Sequence, residues 1–271
     1  MTSASCLPGD NLDAAKMPGH WLLLRLGKRV LGPGGLALTR RMLDSLNIQP
    51  NDDVVEFGPG PGVTARLALA RNPHSYVGVE RDENAARIVR RYLHGHGHQC
   101  LIGSAEETGL PNAQASVVYG EAMLTMQGQR QKAAIITEAA RLLRPGGRYG
   151  IHERCLVPNE LSREARDLIE HDLTTTIHVG ARPLTITEWH ALLTENGLSI
   201  THCATAPMHL LELPGLVQDE GLGRVLLIAG RLLRDGKARA RVFAMKNAFR
   251  KHASHLRAIT IVAAKTLRAV D

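Results

Sequence analysis

Apolar positions along this chain alternate between two rhythms. Short runs with strand-type residues occur at Val54-Val55 with Phe57, then at 75–80, 100–106 (a strand and its edge), 116–121 and 148–153. They have the length and composition of buried strands. Between them, 64–70, 83–92 and 130–144 read as helices, the second opened by Asp82 as N-cap and stopped at Gly95, the third ended by Pro145-Gly146-Gly147. Two more helices, 20–31 and 35–47, precede the first strand and are separated by Gly32-Pro33-Gly34; Leu36, Met42, Leu43 and Leu46 give the second an apolar stripe. This pair either covers a ligand at the sheet edge or packs on the sheet's flank. Residues 1–18 mix Ser, Pro, Gly and Asp and are expected to fray. Strand and helix alternating at this spacing predict an α/β fold with a parallel, doubly wound sheet.

The most constrained junction is Glu56-Phe57-Gly58-Pro59-Gly60-Pro61-Gly62-Val63-Thr64. Three glycines let the backbone turn tightly and approach a ligand closely. A helix starting there places free N–H groups at the C-terminal edge of the sheet, where α/β folds bind nucleotides. The dinucleotide fingerprint G-x-G-x-x-G needs its third glycine at position 63, which is Val63. Glu56 would also repel a pyrophosphate, whereas a cationic ligand favours a carboxylate there. A nucleoside with a positive amino-acid tail therefore fits better than NAD. Glu80 ends the second strand 22 residues after Gly58, a spacing at which an acid accepts hydrogen bonds from ribose hydroxyls.

Composition narrows the class. The chain of 271 residues is 44% hydrophobic but only 3% aromatic, so Leu, Val, Ile and Ala must fill its core. Cys6, Cys100, Cys155 and Cys203 are far apart and form no C-x-x-C, which implies neither a disulfide framework nor a thiolate zinc site and is compatible with a reducing cytoplasm. No run approaches the ~20 apolar residues of a membrane span. His94-Gly95-His96-Gly97-His98 falls in a helix-to-strand loop opposite the ligand edge, so no metal site is expected from it. The net charge of +7 is uneven: residues 221–271 hold 12 Lys/Arg against 2 Asp/Glu. The basic character belongs to the C-terminal fifth, which argues against a nucleic-acid surface spread over the whole molecule.

Several motifs in order point to one family. Glu56-Phe57-Gly58-Pro59-Gly60-Pro61-Gly62, Glu80, Gly103-Ser104-Ala105-Glu106 with Leu110-Pro111, and 141–148 (RLLRPGGR) resemble the class I S-adenosylmethionine-dependent methyltransferases of the ubiquinone/menaquinone-biosynthesis type, over about residues 50–155. The resemblance implies a Rossmann-like seven-stranded sheet of order 3-2-1-4-5-7-6 with the last strand antiparallel. The closing strands would be 198–204 and 258–263. Between them a helical insertion at about 212–254 carries Leu222, Val225, Leu226, Ala229, Leu232 and Leu233 at helical spacing, a break at Asp235-Gly236, and a second basic helix at 237–252. The implied domains are a helical cap at 1–47 and a cofactor-binding domain at 48–271.

The resemblance also implies residue roles. Glu56 with the N–H groups of Gly58 and Gly60 would hold the amino-acid tail of S-adenosylmethionine, in a turn completed by Gly62 and Thr64. Glu80 would take the ribose; Arg81, Ala105 and Glu106 would flank adenine, with Ser104 standing where many relatives have an acid. Glu121 and Ala122, with Met123, sit where sulfonium and acceptor should meet, and S-adenosylhomocysteine would be the product. No catalytic base declares itself. Glu121, His152 with its neighbour Glu153, His178 and Arg182 are the candidates, each also readable as a salt bridge or cap. The chain has Gly120-Glu121-Ala122-Met123 in place of an aromatic D/N-P-P-Y element, which disfavours methylation of exocyclic or amide nitrogens.

The leading expectation is a cytoplasmic enzyme methylating an O, C or N atom of a small, apolar or aromatic metabolite. Two alternatives are an RNA methyltransferase gripping phosphate through 221–257 and a non-catalytic S-adenosylmethionine-binding interaction protein. The basic amphipathic insertion also leaves open a peripheral membrane contact or a homodimer surface.

Overall fold

The structure is a computed structural model and describes residues 7–266. Strand β1 (Asp53–Phe57) lies between β2 (Ser75–Glu80) and β4 (Ala115–Glu121), parallel to both, with Val55 opposite Val77 on one side and Val118 on the other. A strand bonded along both edges and covered on both faces has no position facing water, hence its continuous apolar run. β3 (His98–Ile102) adds outside β2, and β5 (Leu143–Leu156) outside β4.

Two chain-terminal strands close the sheet. β8 (Leu256–Lys265) runs antiparallel to β5, and β7 (Leu198–Pro207) antiparallel to β8. The order β3-β2-β1-β4-β5-β8-β7 is the expected 3-2-1-4-5-7-6 with one extra element, a two-residue β6 (Leu184–Thr185) beside Cys155 and Leu156 of β5. β6 exists because β5 continues past Glu153, paired with β8 from Arg148 to Leu156.

Alternate residues of each strand address opposite faces. Val55, Phe57, Val77, Val79 and Val118 enter a core with α5 (Gln129–Leu142) and α7 (Ile186–Thr194), filled by the fully buried Trp189. Val54, Tyr76, Val117 and Tyr119 enter the other, with α2 (Gly35–Leu46), α3 (Val63–Leu69) and α4 (Glu83–Arg90).

A third cluster caps the sheet. Leu22 and Leu23 of α1 (Gly19–Arg25), Ile169, Leu173 and Ile177 of α6 (Arg163–Ile177), Ile228 of α9 (Leu222–Arg234) and Met245 of α10 (Gly236–Lys251) pack together with Leu156 and Leu256. The two N-terminal helices thus part: α2 packs on the sheet, while α1 joins the insertion in one cover. The insertion breaks at Asp235, whose carboxylate caps α10 by accepting from Ala238 N–H at 2.9 Å.

Two expectations are corrected here. Residues 7–18 do not fray: Ala14 and Met17 belong to the cover's core, and Arg241 donates to the carbonyls of both; residues 1–6 lie outside the described residues. The helix read over 20–31 ends at Arg25. The chain beyond it is held by α8 (Leu213–Glu220), the first helix of the insertion expected at about 212–254. Glu220 accepts from the N–H groups of Arg29 at 2.6 Å and Val30 at 2.8 Å, Asp219 accepts from Leu36 N–H at 2.8 Å, and the buried Lys28 ammonium lies 3.9–4.0 Å from both carboxylates.

Candidate active site

The C-terminal ends of β1, β2 and β4 open into a cleft under the helical cover, with about 1490 Å3 of empty space including its mouth. After Phe57 the chain turns through Gly58, Gly60 and Gly62 at φ 61°, 52° and 76°, where any side chain is strained. A Cβ on Gly58 or Gly60 would meet nothing nearer than 3.8 Å, so the space above them is free for a ligand. Their amides are not free. Gly58 N–H donates to the Val79 carbonyl at 2.9 Å, prolonging the β1–β2 ladder, and Gly60 N–H donates to Glu80 Oε2 at 2.9 Å. The expectation that these two N–H groups face the amino-acid tail is therefore corrected: open backbone surface and carboxylates are what this end of the cleft offers.

Three carboxylates line that end. Glu56 is buried on β1, and Oε2 accepts from the hydroxyls of Tyr76 at 2.5 Å and Tyr119 at 2.7 Å. Burial pushes its carboxyl up to about 8 against the pull of both tyrosines, and the charges of Glu121 and Glu80 add to the rise. Glu80 spans two turns, accepting from Gly60 and, at 3.0 Å, from Asp82 N–H; burial raises it too. Glu121, at the end of β4, behaves oppositely. Burial pushes it up, but His152 and the hydroxyls of Thr64 and Thr39, at 2.8 and 3.0 Å, more than offset this and hold it below its ordinary value. An ionised carboxylate thus sits beside less acidic ones in a wall that favours positive charge.

The other expected cofactor residues gather at the same edge. Arg81 donates to Ser104 Oγ at 2.8 Å and Glu106 Oε1 at 2.5 Å, forming a polar rim beside the buried Ala105. Arg81 and Ala105 line the cleft; Ser104 and Glu106 stand behind them. Ala122 also lines it, held at φ 55° with its N–H on the His152 carbonyl at 2.8 Å.

Of the expected bases Glu121 lines the cleft, whereas His152, Glu153, His178 and Arg182 do not. His152 is wholly buried. Its Nε2 accepts from Gly34 N–H at 3.1 Å, and Nδ1 faces Thr39 at 3.3 Å and Glu121 at 3.5 Å. It positions Glu121 and α2. Glu153, on the opposite face of β5, accepts from the N–H groups of Met123, Leu124 and Thr125 and from the Thr125 hydroxyl at 2.6–3.1 Å, fixing the turn after β4. His178 is the exposed left-handed cap of α6, and Arg182 is exposed with its backbone on Thr125 O and Lys132 Nζ. Strand-end position alone suggested the first pair; how the segment after α6 is routed, which the sequence does not encode locally, places the second outside.

Residues the sequence reading did not single out complete the cleft. His20 and Trp21 of α1, with ring centroids 4.4 Å apart, enter from one side; Ile177, Val179, Leu210, Met245 and Phe249 form apolar walls. Burial and the neighbouring Arg154 push the His20 imidazole down to about 4, so it is neutral at pH 7. Arg154 of β5 lines the cleft with its guanidinium 5.7 Å from the Phe249 ring centre. A signal for it existed: His152-Glu153-Arg154 is a polar triplet inside a central strand.

Residues 54–147 match the family described as methyltransferase domain. A Haemophilus influenzae protein described only as uncharacterized is 30% identical over 215 residues, 78% of this chain and 83% of its own. The 27-O-demethylrifamycin SV methyltransferase of Amycolatopsis mediterranei is 27% identical over 130 residues, 47% of this chain and 48% of its own. Among solved structures, a geranyl diphosphate methyltransferase in complex with GPP and sinefungin is 17% identical with a TM-score of 0.62, over 85% of this chain and 77% of that one, a likeness of fold. The domain match spans the strands and glycine turn that build the acidic end of the cleft, and the whole sheet has the strand order of that fold. On these grounds the chain belongs to the class I S-adenosylmethionine-dependent methyltransferases and is an enzyme of that type.

Proposed function

We propose that this enzyme methylates a small, largely apolar molecule held in the inner part of the cleft. The observation that carries the reading is the cover: α1, α6 and α10 roof the sheet edge and leave a chamber walled by Trp21, Leu23, Ile177, Val179, Met245 and Phe249. A polymer has no such interior to enter, whereas apolar walls with few polar groups suit a small ligand.

S-adenosylmethionine, when bound, supplies an electrophilic methyl carbon on a sulfonium. The glycine turn leaves room for it, and the three carboxylates match its positive charges. Glu80, fixed by two backbone amides, presents its remaining lone pairs to the ribose hydroxyls. Glu56 receives the amino group. Glu121, held below its ordinary value by His152, Thr64 and Thr39, would stand with Ala122 and Met123 beside the sulfonium. With the cofactor bound, the methyl carbon would pass to an acceptor lone pair as its bond to sulfur breaks, leaving S-adenosylhomocysteine. The chain's task is to hold the acceptor in line at contact distance. His20, pushed down to about 4, is a poor base for any proton on the acceptor atom.

The basic insertion supports this reading over RNA, since many of its charges are spent internally. Lys237 pairs with Asp13, Lys246 and Arg250 with Glu212, Lys251 with Asp172 and Arg224 with Glu220. The test is a methyl-labelled S-adenosylmethionine assay on total RNA and on a small-molecule extract side by side. Label in small organic products is expected; label confined to RNA refutes the reading.

A further inference from the structure

Three arginines line the cleft, and they differ in one respect. Arg29 pairs with Glu220 at 3.2 Å and Arg81 with Glu106 at 2.5 Å. Arg154 pairs with no carboxylate among the described residues. It is nonetheless more than nine-tenths buried, and its Nε has no hydrogen-bond partner. Its sequence neighbour Glu153 points to the other face of β5 and has both oxygens engaged by the 123–125 turn. What the guanidinium does meet is the Phe249 ring on one side and the cleft on the other.

A buried charge without a partner is costly, and folded proteins compensate it by an ion pair or a ligand. Burial lowers the basicity of Arg154 without neutralising it, since guanidinium holds its proton under all ordinary conditions. The cleft is accordingly polarised. Glu56, Glu80 and Glu121 line it as acids, and Arg154, with no carboxylate partner, lines it as a cation beside Phe249. The nearby His20 is neutral and adds a hydrogen-bonding edge without competing charge.

We propose that Arg154 is a specificity-determining residue that binds a carboxylate on the methyl acceptor, so that the substrate class is small apolar carboxylic acids. The assignment rests on the methyltransferase reading of the cleft and deepens it. Guanidinium offers a planar pair of N–H donors that matches a carboxylate bidentately, and Phe249 fixes the plane of that fork.

The test is calorimetric titration of the full chain, saturated with S-adenosylhomocysteine, using matched acids and amides: benzoate against benzamide and octanoate against octanamide, with phenyl phosphate alongside. Binding of S-adenosylmethionine itself is measured on wild type, Arg154→Gln and Arg154→Lys. At least one carboxylate is expected to bind tenfold or more tightly than its amide. Arg154→Gln should erase that gap and Arg154→Lys retain part of it, with the cofactor affinity of both within about threefold of wild type. The proposal is overturned if no acid exceeds its amide, if phenyl phosphate binds more tightly than every acid, or if Arg154→Gln keeps the gap. It is also overturned if Arg154→Gln weakens the cofactor tenfold, which would assign the guanidinium to the cofactor's own carboxylate. Should Arg154→Gln not fold, the wild-type acid–amide gap and Arg154→Lys decide. Wild type that binds neither S-adenosylmethionine nor its product refutes the underlying reading as well, so the two failures are distinguishable.

Discussion

At the scale of single residues, the cleft is governed by how differently its carboxylates are solvated. Glu56 has the stronger penalty, and the sign of its effect is definite. Its folded value of about 8 exceeds the ordinary 4.5, so the folded state binds the extra proton between those values. Stability contributed by the neutral form is full below about 4.5, declines as pH rises to 8, and is gone above. Glu56→Gln removes a charge that must otherwise be buried while keeping an acceptor for Tyr76 and Tyr119. It should raise the Tm by ~5 °C or more at pH 9 and by much less at pH 5, as thermal unfolding followed at both values will show. With Glu56 receiving the cationic amino group, S-adenosylmethionine affinity should climb from pH 6 to 8 in wild type and stay flat in the variant. Glu80→Ala has a different signature. It frees the Gly60 and Asp82 amides and removes the proposed ribose acceptor, so cofactor affinity measured by calorimetry should fall at least tenfold, with a smaller loss of stability.

At the scale of elements, the turn after β4 depends on a side chain from the next strand. Glu153 satisfies three backbone N–H groups and one hydroxyl in the 123–125 turn, and that turn carries Met123 and Met126 into the cleft wall. Glu153→Ala leaves those donors buried and unpaired, and urea denaturation should show a loss of about 3 kcal/mol or more. Glu153→Gln keeps one oxygen and should fall between. An unchanged midpoint in Glu153→Ala would mean that water replaces the carboxylate and that Glu153 is open to a catalytic role. The α8 clamp is a second such device. It turns the segment after Arg25 into a fixed wall of the cleft, where the local sequence alone reads as helix as far as 31.

At the scale of the whole molecule, sheet and cover rest on different cores. The strands are buried on both faces between two clusters, while α1, α6, α9 and α10 share a third over the ligand edge, and α9 and α10 leave Leu222, Leu226, Leu233 and Phe243 exposed. Segments with fewer buried contacts open first. Hydrogen exchange at 19–25 and 213–251 should therefore be faster than in β1, β4 and β5, and it should slow when cofactor is added. Because so many insertion charges are paired internally, turnover of the small-molecule acceptor should change less than twofold between 50 and 300 mM salt. A phosphate-gripping enzyme would lose orders of magnitude over a similar range.

What the sequence determined by itself is whatever follows from local pattern. Continuous apolar runs marked strands buried on both faces, helical spacing marked the crossovers, and three closely spaced glycines after Glu56 marked a turn that only glycine tolerates at positive φ. Glu80 was legible because its distance from that turn is set by one strand–helix–strand unit. Tertiary structure decided everything that joins segments distant in the chain. It buried His152 under Gly34 and spent Glu153 on the turn beside it. It carried His178 and Arg182 to the surface, and brought His20, Arg154 and Phe249, separated by more than a hundred residues of sequence at one step, to a single cavity. Hydrophobic periodicity reports which face of an element is buried, but not which other element buries it. For that reason the glycine-turn end of the cleft with its carboxylates, built by neighbours in sequence, could be read in advance, and the end walled by the cover could not.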